Sequence, residues 1–233
     1  MAVRAQPAGT GGRGERAAEP VARCPMQTRR LGRTDYVATW RAMQAFTTSR
    51  TPDTPDEIWL TEHEPIYTLG LAGRREHLLR DNGIPVLKVD RGGQVTYHGP
   101  GQLVVYLLFD LKRAHLGVRE MIRGVEASVI EWLELLGIPA FGKPSAPGVY
   151  TLNARVEAKI AALGLRVRNG STYHGLSVNV AMNLSPFADI DPCGYPGLAV
   201  TQLADLDVVR TVDQAGVELA PVLASRLTRH PSR

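Results

Sequence analysis

The chain is poor in cysteine, lysine and aromatic residues. Its 233 residues include two cysteines, Cys24 and Cys193, four lysines among 27 basic residues, and 6% aromatics. Two cysteines cannot build a disulfide framework, so a reducing, cytoplasmic setting is expected. The longest uninterrupted apolar run, Leu103 to Phe109, falls far short of the ~20 residues that span a bilayer, which excludes a transmembrane helix. No second cysteine or histidine pair stands near Cys193 at ligand spacing, so no metal site is expected. Residues 1–25 contain no serine and no apolar core of the kind a secretory signal needs, and they do not read as a transit peptide. What is abundant is ordinary core material. With 44% hydrophobic and 21% charged residues, the chain reads as a soluble globular protein and not as a disordered one.

The formal net charge of +4 invites a nucleic-acid reading, but the charge is not spread evenly. Seven arginines stand against Glu15 and Glu19 in residues 1–33, and the remainder carries one more acidic than basic group. The basic end is rich in Ala, Gly, Arg and Pro without apolar periodicity. It reads as a disordered leader over 1–26, or as an extension ahead of a start at Met26. A nucleic-acid binder needs a basic face with interleaved aromatics in its folded part, and the near-neutral remainder offers no general support for one.

Periodicity places the elements. Val37, Trp40, Met43 and Gln44 fall at helical spacing between Asp35 and Arg50. EIWLTEH and PIYTLG, divided by Pro65, read as two short strands or one interrupted strand, and IPVLKVD as another. QVTYH and QLVVYLLFDL flank the turn His98-Gly99-Pro100-Gly101, and the second run alternates too little to face water, so it belongs inside a sheet. Val118, Met121, Ile122, Val125, Val129, Ile130, Leu133 and Leu136 form the clearest helix, with Gly137 as its stop. Strands follow at GVYTL, AKIAALGLRVR and TYHGLSVNVAMNL, the last two joined by a hairpin turn at Asn169-Gly170. A final helix covers 212–227. Helices and strands neither alternate strictly nor segregate, which predicts one α+β domain over 27–230: a mixed β-sheet core flanked by helices.

Three segments could carry chemistry. Arg91-Gly92-Gly93-Gln94-Val95-Thr96-Tyr97-His98-Gly99-Pro100-Gly101 places four glycines where backbone can approach a ligand closely, or simply forms two turns. It is neither a P-loop nor a dinucleotide fingerprint, because no Gly-Lys-Ser/Thr follows and the next element is a strand. Cys193 lies in Asp191-Pro192-Cys193-Gly194-Tyr195-Pro196-Gly197, where a thiol is more reachable than in a packed element; the bland alternative is a buried filler. Lys159, in Glu157-Ala158-Lys159-Ile160, is a scarce residue type inside a core strand. A partly buried lysine can lose its proton, whereas arginine cannot; the bland alternative is a lysine reaching to solvent. His98 and His174 each sit in Tyr-His-Gly, as bases for Cys193 or as structural histidines.

In order, RGGQVTYHGPGQ, APGVY, KIAALGLRVR, TYHGLSVNV, NLSPF and PCGYPG resemble the lipoyl(octanoyl) transferases, and LTEHEPIYTLG resembles their upstream segment. The resemblance runs from about residue 30 to 205. It implies the biotin/lipoate protein ligase catalytic-domain fold and transfer of an octanoyl group from octanoyl-acyl carrier protein to a lysine of lipoyl domains, those of 2-oxo-acid dehydrogenase E2 subunits and the glycine cleavage H protein. It puts the acyl-thioester cysteine at Cys193 and the activating lysine at Lys159. The substrate loop falls on Arg91, Gly92, Gly93, Gln94, Val95, Thr96, Tyr97 and His98, with further contacts at Ala162, Leu163, Gly164, Gly175, Leu176 and Ser177. It also implies a monomer that needs no cofactor, no ATP and no metal. Thr151–Ala158 is longer and less glycine-rich than the family's usual link into the lysine strand.

An ammonium beside a thiol favours the thiolate, the nucleophilic form. The expected sequence is attack by Cys193 on the thioester, then aminolysis of the acyl-enzyme, with Lys159 as acid in one half and base in the other. Leu163, Leu176 and Val95 are expected to line an apolar slot. Arg74, Arg75, Arg80, Lys112 and Arg113 are expected to form one basic patch for acidic carriers. The rival readings are an ATP-dependent lipoate or biotin protein ligase, and a non-catalytic module that binds lipoyl domains or acyl carrier protein.

Overall fold

The computed structural model describes residues 26–228. Cys24 and the leader expected over 1–26 lie outside the described residues, Met26 excepted. In chain order the elements are β1 (Gln27–Thr34), α1 (Tyr36–Ser49), β2 (Glu57–His63), β3 (Ile66–Leu69), β4 (Val86–Lys88), β5 (Val95–His98), β6 (Gln102–Leu108), the single turn α2 (Leu111–Ala114) and α3 (Val118–Leu135). They continue with β7 (Ala140–Gly142), β8 (Gly148–Asn153), β9 (Val156–Arg168), β10 (Ser171–Asn179) and α4 (Val212–Thr228), with short 3₁₀ turns between. A seven-stranded sheet has the order β1-β2-β6-β10-β9-β8-β7, and a three-stranded sheet the order β4-β3-β5. Only β1–β2 and β3–β4 pair in parallel, so the sheet is mixed, as the sequence pattern indicates.

Helix signals act where they are written. Asp35 accepts the Ala38 amide at 2.7 Å and caps α1. Gly137 takes φ 79°, and its amide and that of Ile138 satisfy the last carbonyls of α3. Thr211 and Gln214 cap α4 reciprocally, each side chain accepting the other's amide. The apolar stripe of α3 (Met121, Val125, Val129, Leu133) and that of α4 (Leu219, Leu223) cover one face of the large sheet, meeting Ile58, Leu103, Val105, Leu107 and Val178. Met43 of α1 packs with Val104, Tyr106 and Tyr173 on the opposite face. β6 is buried throughout, between β2 and β10.

Two readings are sharpened. Pro65 separates two strands that belong to different sheets, and the Gly99–Gly101 turn likewise hands the chain from the small sheet to the large one, because β5 pairs with β3 and β6 with β2 and β10. Two strands were not foreseen, β1 and the three-residue β7. β1 is an exposed edge with no alternation to read, held by pairing with β2 and by ion pairs such as Arg29 with Glu57 at 2.5 Å.

The long link before Lys159 is a hairpin. Asn153 pairs with Val156, and Ala154 and Arg155 take φ 47° and 70°, the double left-handed turn that favours Asn-Gly and costs other residues about 1–2 kcal/mol each. The double variant Ala154→Asn, Arg155→Gly should therefore gain about 1 kcal/mol, raising Tm by roughly 2–4 °C in thermal unfolding.

Candidate active site

Cys193 occupies a tight turn, Pro192–Gly194, with left-handed backbone at φ 58°, a conformation uncommon outside glycine. The turn follows a short stretch in which Leu78 pairs with Ile190 and the Asp191 amide donates to the His77 carbonyl at 2.9 Å. Beyond the turn, the Lys159 amide donates to Ala199 and its carbonyl accepts from Thr201. The Cys193 loop is thus bound on one side to residues 77–79 and on the other to the strand that carries Lys159.

That strand contains the feature that makes the site. Val149 pairs with Ala161 but Tyr150 pairs with Lys159, so Ile160 is an extra residue, a β-bulge. Side chains in a regular strand alternate faces, which would put Lys159 beside Ala161 on the helix-covered face. The bulge sends both Ile160 and Ala161 into that core and turns Lys159 to the opposite face, 5.1 Å from the Tyr150 ring centroid. There Nζ donates to Cys193 Sγ and to the Pro147 carbonyl, both at 3.1 Å. Gly148 leaves the room: a Cβ there would meet Lys159 Cε at 2.9 Å. Lys159 is only 3% exposed. Burial works against its charge, but the charge and hydrogen bond of Cys193, helped by Tyr150, outweigh it and raise the lysine above its ordinary value.

Cys193 borders two cavities. The larger, an open cleft of about 480 Å³, is also lined by Arg91, Gly93, Gln94, Val95, Thr96, His98, Ala162, Leu163, Gly164, Gly175, Leu176 and Ser177. The smaller, about 280 Å³, holds Lys159 and shares Thr96, Ala162, Ser177 and Cys193. Of the residues singled out in the sequence, Gly92 and Tyr97 lie elsewhere. Gly92 donates its amide to Leu165, and Tyr97 packs against Tyr67 and Phe187 behind the small sheet. Gly164 carries the loop directly: a Cβ there would stand 3.0 Å from the Gly92 carbonyl.

Arg91 is buried, and its guanidinium donates to the carbonyls of Thr68, Gly92 and Gln94 at 2.7, 2.9 and 2.7 Å. Its charge therefore organises the glycine-rich loop from within. Burial lowers its pKa, opposed by Tyr36, Cys193 and Tyr106.

The two Tyr-His-Gly histidines have partners other than the thiol. His98 shares a hydrogen bond with Gln102 at 2.7 Å, and burial pushes it down to about 3. His174 meets Asp90 at 2.9 Å and is lowered mainly by burial. The position beside Cys193 belongs to Lys159. The expected basic patch is divided. Arg74 reaches the cleft rim through its amide bond to Gln94, whereas Lys112 lies over Gly170 and Arg113 holds the Pro52 and Thr54 carbonyls at the far end of β10. Those ends are roughly 20 Å apart along the strand.

Sequence reasoning missed the cleft's inner wall of Tyr36, Val104 and Tyr106. Tyr106 shares a 2.7 Å hydrogen bond with His63, and Tyr36 stacks on His98. It also missed Asp90, one residue before the loop, which gathers Trp40, Tyr173 and His174. These residues come from different elements, so no spacing announces them.

The lipoyl protein ligase A/B catalytic domain matches residues 35–220. The chain belongs to this family. It is 58% identical over 204 residues to the octanoyltransferase of Laribacter hongkongensis, covering 88% of this chain and 97% of that one. The octanoyltransferase of Dechloromonas aromatica is also 58% identical, over 87% and 97%. Among solved structures, lipoate-protein ligase A bound with ATP superposes with a TM-score of 0.72 at 16% identity, covering 88% and 86%. The fold is that of the lipoate and biotin protein ligase catalytic domains.

Asp90 supplies a test within this family's scaffold. Burial raises its pKa, but hydrogen bonds from His174, Tyr173 and Trp40 hold the carboxyl well below the usual range. A group depressed on folding stabilises above its unfolded pKa and loses that contribution as acid protonates it. Asp90→Asn should cost about 1–3 kcal/mol at pH 7 in urea unfolding, with the gap to wild type shrinking below about pH 4.

Proposed function

We infer that this chain transfers an octanoyl group to lipoyl-domain lysine through a thioester on Cys193. The observation that carries the reading is the 3.1 Å contact between Lys159 Nζ and Cys193 Sγ at the edge of a partly apolar cleft, in a chain so similar to octanoyltransferases. The donor is octanoyl-acyl carrier protein, and the acceptors are the lipoyl domains of 2-oxo-acid dehydrogenase E2 subunits and the glycine cleavage H protein. The acyl chain lies in the cleft, against Leu163, Leu176 and Val95.

In the resting site the Lys159 ammonium stabilises the Cys193 thiolate. Sγ attacks the thioester carbon, the carrier's thiolate leaves, and Lys159 gives it a proton. Acylation removes the charge that held the ammonium. Burial, the largest influence on Lys159, then favours the neutral amine, which can accept a proton as the acceptor lysine attacks. The amide forms, Cys193 departs as thiolate, and the ion pair is restored. The kinetics are ping-pong.

Mixing the protein with octanoyl-acyl carrier protein and recording intact mass should give one octanoyl adduct, absent in Cys193→Ala; wild type without an adduct would refute the covalent route. Lys159→Arg keeps a charge but cannot cycle a proton, so it should lose at least about 100-fold in turnover. Near-normal turnover would remove Lys159 from the proton path.

A further inference from the structure

Lys159 can take one proton from the acceptor, and the chemistry releases two. At neutral pH a lysine side chain arrives as an ammonium. It must shed one proton to become a nucleophile and a second as the amide forms. The first has no acceptor in the Cys193–Lys159 pair, whose neutral lysine is needed for the second.

The structure places another group beside the nucleophile's turn. His77 Nδ1 meets Asp191 Oδ2 at 3.1 Å, two residues before Cys193. The imidazole's other nitrogen is directed at the turn: a side chain at Gly194 would begin 3.4 Å from His77 Nε2 and 3.2 Å from Gln94 Cγ, and Gln94 lines the cleft. The His77 side chain is 17% exposed, so it touches solvent while being fixed by its carboxylate and by the backbone bond between His77 and Asp191. A carboxylate on Nδ1 fixes the tautomer that leaves Nε2 as a lone pair, as in the nucleophile–histidine–acid triads. Imidazole is the side chain suited to taking a proton near neutrality. Lys159, by contrast, is almost wholly buried against Sγ.

We propose that His77, oriented by Asp191, is the general base that deprotonates the acceptor ammonium at the mouth of the site. This rests on the acyl-enzyme reading above. The ammonium gives a proton to His77 Nε2, and the free amine attacks the octanoyl carbon. The carbon–Sγ bond breaks as the carbon–nitrogen bond forms, Lys159 takes the second proton, and Cys193 leaves as the thiolate. His77 returns its proton to water. The first half-reaction, in which Lys159 supplies the single proton required, does not involve His77. Charged groups around the imidazole are Asp191 on the nucleophile's segment, Arg74 with Glu76 on its own turn, Arg80 with Asp189 farther along the paired segments, and Cys193 with Lys159 beyond Gly194.

The half-reactions separate the possibilities. In His77→Gln, acylation of Cys193 by octanoyl-acyl carrier protein, followed by rapid-quench mass measurement, should proceed within about twofold of wild type. Transfer from the isolated acyl-enzyme to a lipoyl domain at pH 7 should fall about 10²–10⁴-fold, the usual span for a lost general base. The deficit should narrow as pH rises toward 9.5, where more of the acceptor is already amine, and His77→Gly should regain transfer with added imidazole. Equal losses in both half-reactions, insensitive to pH and imidazole, would make His77 a structural support of the turn and overturn the proposal. So would unchanged transfer in both His77→Gln and His77→Gly. Failure of wild type to acylate at all would instead refute the acyl-enzyme reading.

Discussion

One contact organises this molecule: a buried lysine ammonium 3.1 Å from a cysteine sulfur. A charge with 3% exposure is unfavourable unless partnered, and here the partners are the Cys193 sulfur and the Pro147 carbonyl. Burial opposes the lysine's charge, and the interaction with Cys193, helped by Tyr150, outweighs it. Much of the surrounding structure serves to hold these two side chains on one face. The bulge at Ile160 turns the lysine, Gly148 makes space for it, and backbone pairing on both sides of the left-handed Cys193 turn fixes the sulfur.

The same logic explains the wall opposite. The glycine-rich loop could cover a cleft in many ways, but Arg91 lies inside it and draws together the carbonyls of Thr68, Gly92 and Gln94. Asp90 immediately before it ties α1 to β10 through Trp40, Tyr173 and His174. A buried cation and a heavily bonded carboxylate in adjacent positions make the loop rigid, and a rigid loop loses little entropy when a ligand settles against it. Glycine here supplies closeness of approach, while the charged neighbours supply stiffness.

Much of this was legible in the residues. α1 and α3 wrote their apolar stripes plainly, Gly137 stopped α3, and Asn169-Gly170 closed the β9–β10 hairpin with two positive φ angles. Cys193 and Lys159 stood out because their types are scarce and their settings unusual. Other features left no local trace. β1 has no alternation, since as an exposed strand at the sheet edge it buries little. Tyr36, Tyr106 and His63 meet only because α1, β6 and β2 converge, and His77 meets Asp191 across 114 positions of chain. Lys112 and Arg113 looked like companions of Arg74 because side-chain charge says nothing of which end of a strand it will occupy.

By itself, the sequence determined most of the secondary elements and the α+β class, because these depend on local periodicity and capping, and its ordered motifs carried the family resemblance. The tertiary structure alone decided which way Lys159 faces. Counting in twos along β9 places it with Ala161 in the helix-covered core, and a single unpaired residue, Ile160, reverses that parity. A bulge is a property of two strands in register, not of either sequence, so the direction in which the lysine points became visible only once β8 lay beside β9.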